Sequence, residues 1–263
     1  MKHYDVCMTI AGSDPSGGAG IVADLNTFHR LGCYGQAVIT SITIQNSLGV
    51  ADSHPLPPEQ VEAQINIVME DLMPAAVKIG MVCTAPIVEA ICRALDAHAP
   101  RFVVADPIMI SSSGFPLTDL ETMKAAIPHL IRRISLLTPN IPEAQFLTGS
   151  DTADASRLVR LMSERYPETS ILVKGGHSAD GVTDWLYDAN EKNYVPFHGS
   201  RVETRHTHGT GCVLSSAIAA YTAKGFSLPE AVGKAKLFLQ RALEKGAEYD
   251  AGKGHGGSFL LGD

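Results

Sequence analysis

Long apolar runs, surplus positive charge and paired cysteines are all missing from this 263-residue chain. No stretch approaches the roughly 20 consecutive apolar residues of a membrane-spanning helix. The net charge is -7, so no global positive field draws the chain to nucleic acid or to an anionic membrane. Any anion it binds must be held locally. The five cysteines (Cys7, Cys33, Cys83, Cys92 and Cys212) are odd in number and form no CxxC pair. That fits reduced thiols better than a disulfide framework or a structural zinc site. The opening "MKHYDVCMTIAG" has no signal-peptide cleavage pattern and runs straight into a strand-like segment, so a cytoplasmic location is expected. No repeat, low-complexity segment or linker interrupts the chain, and residues 1–263 are expected to form one domain.

What is present is an ordinary globular composition, 45% hydrophobic and 19% charged. Short β-branched runs alternate with helical patterns. "DVCMTIAG", "QAVITSITIQ", "AAVKIGM", "RFVVADPIM", "ISLLTPN" and "SILVKGG" read as strands. "GAGIVADLNTFHRLG", residues 58–71, "APIVEAICRALDAHA", "IPEAQFLTG", "ASRLVRLMSERY", 210–224 and 228–246 read as helices. Such alternation predicts a parallel sheet with helices on both faces. "TDWLYDANEKNYVPFHG" adds one antiparallel hairpin late in the chain.

Three constellations carry chemistry. "AGSDPSGGAG" (11–20) lies between a strand and a helix, where glycines permit either close approach to a ligand or simply a tight turn. It lacks the lysine and hydroxyl of a Walker A loop and the GxGxxG spacing of a dinucleotide site. "RHTHGTGC" (205–212) runs into a small-residue helix, so the N–H groups of residues 209–212 converge with the positive end of the helix dipole behind them. This predicts an anion hole suited to a transferring phosphoryl group. A metal site fits less well. His206 and His208 are two apart and point to opposite faces of an extended backbone, with only Cys212 nearby. The histidines are therefore expected to flank the cradle. The third constellation is Asp106, Asn140 and Lys174, each at a strand's carboxyl end, where open α/β sheets bind ligands. Glu143, three residues past Asn140, is either a capping-box partner or a holder of magnesium-bound water.

The order of "TIAGSDPSGGAGIVADLNTF", "GCYGQAVITSITIQNSLGV", "VKIGM", "DPIMISSSG", "TPNIPEA", "VKGGH" and "THGTGC" resembles the bacterial hydroxymethylpyrimidine/phosphomethylpyrimidine kinases of thiamin biosynthesis, over nearly the whole chain. The resemblance implies a ribokinase-like α/β fold, a central mostly parallel sheet with helices on both faces. It implies ATP as co-substrate, Mg2+, and a homodimer. It also implies two reactions at one site. 4-Amino-5-hydroxymethyl-2-methylpyrimidine goes to its monophosphate, and the monophosphate to the diphosphate.

Residue by residue, the resemblance makes Gln45 the reader of the pyrimidine, since a carboxamide can donate and accept at once. Gly12 and Asp24 become contacts to polar ring groups or the hydroxymethyl, and Met81 and Ile108 apolar contacts to the ring. Asp106, Asn140 and Glu143 match the magnesium and phosphate network, and Lys174 the lysine that neutralises ATP phosphates. Thr207, Gly209, Thr210, Gly211 and Cys212 match the anion-hole segment. Related sugar kinases carry an aspartate base where this chain has Cys212. A helix N-terminus lowers a thiol's pKa, so a thiolate there would serve as base for the first step.

Two other readings compete. Some pyridoxal kinases of this branch share "GTGC" but pair it with a second cysteine after the "DPVM" motif, where this chain has Ile110. A nucleotide-binding regulator without catalysis is disfavoured by the intact acid, amide, lysine and glycine set.

Overall fold

A computed structural model describes residues 3–110, 114–118, 120–176, 182–249, 252–254 and 256–257. In chain order the elements are β1 (Val6–Ala11), α1 (Gly20–Arg30), β2 (Tyr34–Ile39), β3 (Ser41–Asn46), β4 (Gly49–Pro55), α2 (Pro58–Asp71), β5 (Ala76–Ile79), α3 (Ala85–His98), β6 (Val103–Ala105), α4 (Leu120–Ile131), β7 (Leu136–Leu137), α5 (Ile141–Thr148), α6 (Ala155–Arg165), β8 (Ser170–Val173), β9 (Val182–Asp188), β10 (Asn193–Gly199), α7 (Thr210–Ala223) and α8 (Leu228–Gly246).

Strands β1, β5, β6, β7 and β8 are buried along their whole length, whereas β2 at the sheet edge is mostly half-buried, and successive side chains alternate between two cores. Met8, Ile10, Leu137, Ile171 and Val173 face a core completed by Val61, Ile65, Ile87, Ile91, Ile131 and Leu158 of α2, α3, α4 and α6. Cys7, Leu136 and Leu172 face the other core, against Phe28, Ala217, Ile218 and Ala235 of α1, α7 and α8. Each fully buried Leu or Ile side chain contributes about 1.5–3 kcal/mol of transfer free energy.

The sheet order is β10-β9-β8-β7-β6-β5-β1-β2. The strands from β2 to β8 in that order run parallel, and β9 and β10 run antiparallel at the edge. The late hairpin therefore extends the main sheet, as expected. From β1 the chain goes to β2 on one side and returns to β5 on the other. That reversal leaves a crevice beyond the carboxyl ends of β1 and β5, the usual place for a ligand in an open α/β sheet.

Two parts of the architecture differ from the sequence expectation. "QAVITSITIQ" forms two strands in two sheets, because the chain leaves the main sheet at Thr40. Its N–H donates to the Ala11 carbonyl, its carbonyl accepts from Leu56 N–H, and its hydroxyl donates to the Met81 carbonyl at 2.6 Å. Beyond it, β3 pairs antiparallel with β4 in a separate two-stranded sheet. Neither β4 nor α4 was expected. The polar "GVADSHP" shows little apolar alternation, and α4 carries Pro128 inside it.

Candidate active site

The carboxyl ends of the parallel strands deliver the expected polar residues to one place. Asp106 follows β6, and its Oδ1 accepts from Lys174 Nζ at 2.6 Å and from Thr138 Oγ1 at 3.2 Å. Lys174 follows β8 and is anchored by its N–H to the Pro139 carbonyl. Burial opposes the lysine's charge, but Asp106 and then Glu143 outweigh it and hold the ammonium above its ordinary value. Asn140 and Glu143 form a reciprocal capping box at the start of α5, both bonds 2.8 Å long. Glu143 is also close enough to Lys174 and Asp106 to feel both. Burial pushes its carboxyl up to about 7, with Lys174 pulling down and Asp106 adding to the rise. Both alternatives for Glu143 thus remain compatible with one position.

The N-terminus of α7 closes the site from the other side. Gly209, its cap, has φ 75°, a left-handed conformation that favours glycine, and a Cβ there would run into the Gly18 carbonyl. At Gly211 a Cβ would lie 2.8 Å from Asp106 Oδ2 and 3.3 Å from Lys174 Nζ. The first-turn N–H groups, which have no partner inside the helix, thereby lie beside a lysine and a carboxylate. Thr210 is the first helical residue, and its N–H reaches the carbonyl of the exposed Thr207 at 3.4 Å.

Cys212 is buried against Ala23, Val213 and Ile108. The expectation of a depressed thiol pKa is reversed. Burial pushes the thiol up, Asp24 and Asp106 add to it, and Lys78 and the Gly20 backbone do not compensate, leaving it at about 11. Helix N-terminus and burial oppose each other here, and burial wins.

Asp24 also departs from expectation. It is wholly buried and saturated, accepting from Lys78 Nζ at 2.9 and 2.7 Å, from Thr9 Oγ1 at 2.6 Å and from Ser216 Oγ at 2.7 Å. With every oxygen occupied it has no lone pair directed at a substrate, and it forms the floor beneath Cys212. Gly12 and Met81 do meet, since a Cβ on Gly12 would strike Met81 Cε. Gln45 is half-buried at the end of β3.

Several residues escaped the sequence reading. His208, expected only to flank, reaches both Asp14 and Gln45. Asp14 organises the glycine-rich loop, accepting from Ser16 N–H, Ser16 Oγ and Ala19 N–H. The signal for Asp14 was available in "SDPSGG", because an aspartate bonding two residues on is an ordinary turn device. Lys78 carried none, being one charge inside an apolar strand. His206 is buried, and among the described residues its Nδ1 has no hydrogen-bond partner. His177 and Ser111–Ser113 of the motifs lie outside the described residues.

A glycine-lined helix N-terminus opposite a lysine and a carboxylate is the equipment of a phosphotransferase. The relatives narrow that class: residues 14–258 match the family described as phosphomethylpyrimidine kinase, and the chain belongs to this family. It is 39% identical to the hydroxymethylpyrimidine/phosphomethylpyrimidine kinase of Bacillus subtilis (strain 168), covering 95% of this chain and 92% of the relative. The enzyme of the same name from Salmonella typhimurium is 40% identical, covering 95% and 94%. The crystal structure of phosphomethylpyrimidine kinase from Clostridium difficile 630 superposes with a TM-score of 0.79 at 39% identity, covering 90% of this chain and 99% of that one. Staphylococcus aureus pyridoxal kinase in complex with AMP-PCP and pyridoxal superposes with a TM-score of 0.83 at 29% identity, covering 96% and 92%. The ribokinase-like fold expected from the sequence is therefore the fold observed. No described helix is long and apolar enough to cross a membrane.

Proposed function

We propose that the chain phosphorylates 4-amino-5-hydroxymethyl-2-methylpyrimidine with ATP and then phosphorylates the monophosphate to the diphosphate at the same site. The observation that carries this reading is the convergence of Lys174, Asp106 and Gly211 at the first turn of α7, in a chain of the phosphomethylpyrimidine kinase family. In the first reaction the hydroxymethyl oxygen attacks the γ-phosphorus of ATP, the bond to ADP breaks, and the hydroxyl proton departs. In the second a phosphate oxygen of the monophosphate attacks a second ATP, and no hydroxyl proton is involved.

The N–H groups of residues 209–212, with Thr210, stabilise charge on the transferred group, and Lys174 neutralises the ATP phosphates. Thr207 and Asn140 border the nucleotide. Gln45, Gly12, Met81 and Ile108 hold the pyrimidine, with Asp24 supporting the floor. The donor set fits a hard cation: Asp106 Oδ2 faces Gly211 at the cradle, Glu143 is nearby, and magnesium is commonly held by one or two carboxylates plus substrate phosphates. Bound there, Mg2+ would offset phosphate charge. Cys212 lies at the base position of related kinases, and its share is confined to the first reaction.

The reading takes residues 1–263 as one cytoplasmic kinase domain that forms a homodimer. Exposed Ile42, Ile44 and Leu48 on the small sheet and its turn support an apolar contact. A coupled ADP-release assay with the pyrimidine alcohol, its monophosphate and pyridoxal tests the function. Turnover of both pyrimidines is expected, with pyridoxal slower. Consumption of pyridoxal alone would replace this reading with the pyridoxal kinase one.

A further inference from the structure

His208 precedes the α7 cap and has no role in the chemistry above, yet it joins three segments of the site. Its Nε2 lies 2.9 Å from Asp14 Oδ2 and 3.0 Å from one terminal atom of the Gln45 carboxamide. The other terminal atom of that carboxamide lies 3.3 Å from Thr43 Oγ1. The two ends of a carboxamide are isosteric, so the surrounding hydrogen bonds decide which is oxygen and which nitrogen.

Both neighbours decide alike. Asp14 is an acceptor already holding Ser16 and Ala19. Burial pushes its carboxyl up, but the bonds from His208 and Ser16 outweigh that and keep it below the usual carboxylate range. A carboxylate at 2.9 Å requires the proton on His208 Nε2. A protonated Nε2 has no lone pair for an amide NH2 and can face only an oxygen, so its one proton is shared between Asp14 and the carboxamide oxygen in a three-centre bond. On the other side, Thr43 spends its single hydroxyl proton on the Ser13 carbonyl at 2.7 Å. It therefore offers the carboxamide a lone pair, which suits NH2.

We infer that His208, locked by Asp14, is a positioning residue that holds the Gln45 carboxamide with its oxygen beside the imidazole and its NH2 beside Thr43. The remaining oxygen lone pair and N–H then read one substrate edge, taking a donor on the His208 side and an acceptor on the Thr43 side. An exocyclic amine next to a ring nitrogen has that pattern. The inference rests on Gln45 meeting the pyrimidine, as proposed above. The His208 and Asp14 side chains are only 12% and 2% exposed, so little water is available to satisfy a carboxamide turned the wrong way.

Steady-state kinetics with the 4-amino substrate and its analogue lacking the amine test the inference. For His208→Ala the expected result is an approximately tenfold rise in KM for the amino substrate, about the worth of one hydrogen bond. The KM for ATP should stay unchanged, and the preference for the amino substrate should fall by a similar factor. His208→Gln, which can donate to both Asp14 and the Gln45 oxygen, should restore most of that preference. Asp14→Asn must set its NH2 against either the Ser16 or the Ala19 N–H, which weakens the lock on the imidazole, and should lose part of the preference as well. The double variant Gln45→Ala/His208→Ala should be no less selective than Gln45→Ala. Equal losses on both substrates in His208→Ala and Asp14→Asn, or additive effects in the double variant, would overturn the positioning role. Unchanged preference in Gln45→Ala would instead overturn the assignment of Gln45 itself, and the inference with it.

Discussion

Two lysine–aspartate pairs lie within reach of Cys212, and they are built from the same chemistry for different purposes. Lys78 and Asp24 are both 0% exposed, and every oxygen of Asp24 is engaged by Lys78, Thr9 or Ser216. Burial works against the Lys78 charge, but the Asp24 carboxylate outweighs it and raises the pKa. Lys174 is 17% exposed, and Asp106 keeps an oxygen turned toward Gly211. The difference lies in what is left over after pairing. A saturated pair in the floor supports structure, whereas a pair with spare valences facing a cleft can meet phosphate and metal.

The contrast breaks most readily at its buried member. Asp24→Ala leaves an uncompensated buried ammonium and should cost about 3–5 kcal/mol of stability, read from urea denaturation. A loss under about 1 kcal/mol would mean that the pair behaves like a surface one. Lys174→Ala should do the opposite, lowering kcat by about 10²–10³-fold with a stability loss less than half that of Asp24→Ala. If the two variants exchanged these profiles, the division between floor and site would be wrong.

Cys212, which feels both pairs, gives a smaller effect. With its thiol at about 11, the thiolate fraction rises about tenfold per pH unit below that value. If it serves as base, kcat for the first reaction should climb between pH 7 and 9 while the second stays flat, and Cys212→Ser should flatten the first. Flat profiles for both wild-type reactions would leave positioning and charge to carry the step.

The smallest effect is on pH-dependent stability. The folded Glu143 carboxyl, at about 7 against an ordinary 4.5, binds its proton more tightly than the unfolded one. Its contribution to stability is present below pH 4.5 and is lost as pH rises through 7. Glu143→Gln should remove that part of the decline in denaturation midpoint between pH 5 and 8, and an unchanged slope would argue against a raised pKa.

Much of this contrast was legible in the sequence, and the illegible part has a common cause. Asp106, Asn140 and Lys174 could be placed because strand ends are marked by apolar runs stopping at polar residues. Gly209 and Gly211 were visible because a glycine pair precedes a helix. Asp24 resembled a binding residue, since nothing local discloses that Thr9, Lys78 and Ser216 surround it from distant segments. His208 was set aside on the alternation of an extended backbone, but the loop turns it onto Asp14. For Cys212 the dipole argument had the right cause and the wrong winner, because burial is a property of the packed fold. β4 was missed for lack of alternation in its own sequence.

The most direct measurement follows the phosphorus. Purified chain, ATP, Mg2+ and the pyrimidine monophosphate are incubated and observed by 31P NMR. A pair of coupled diphosphate-ester doublets should grow as the monophosphate signal declines, in step with ADP, and should all but vanish with Lys174→Ala. Release of inorganic phosphate alone, with the monophosphate signal unchanged, would contradict a second phosphorylation at this site.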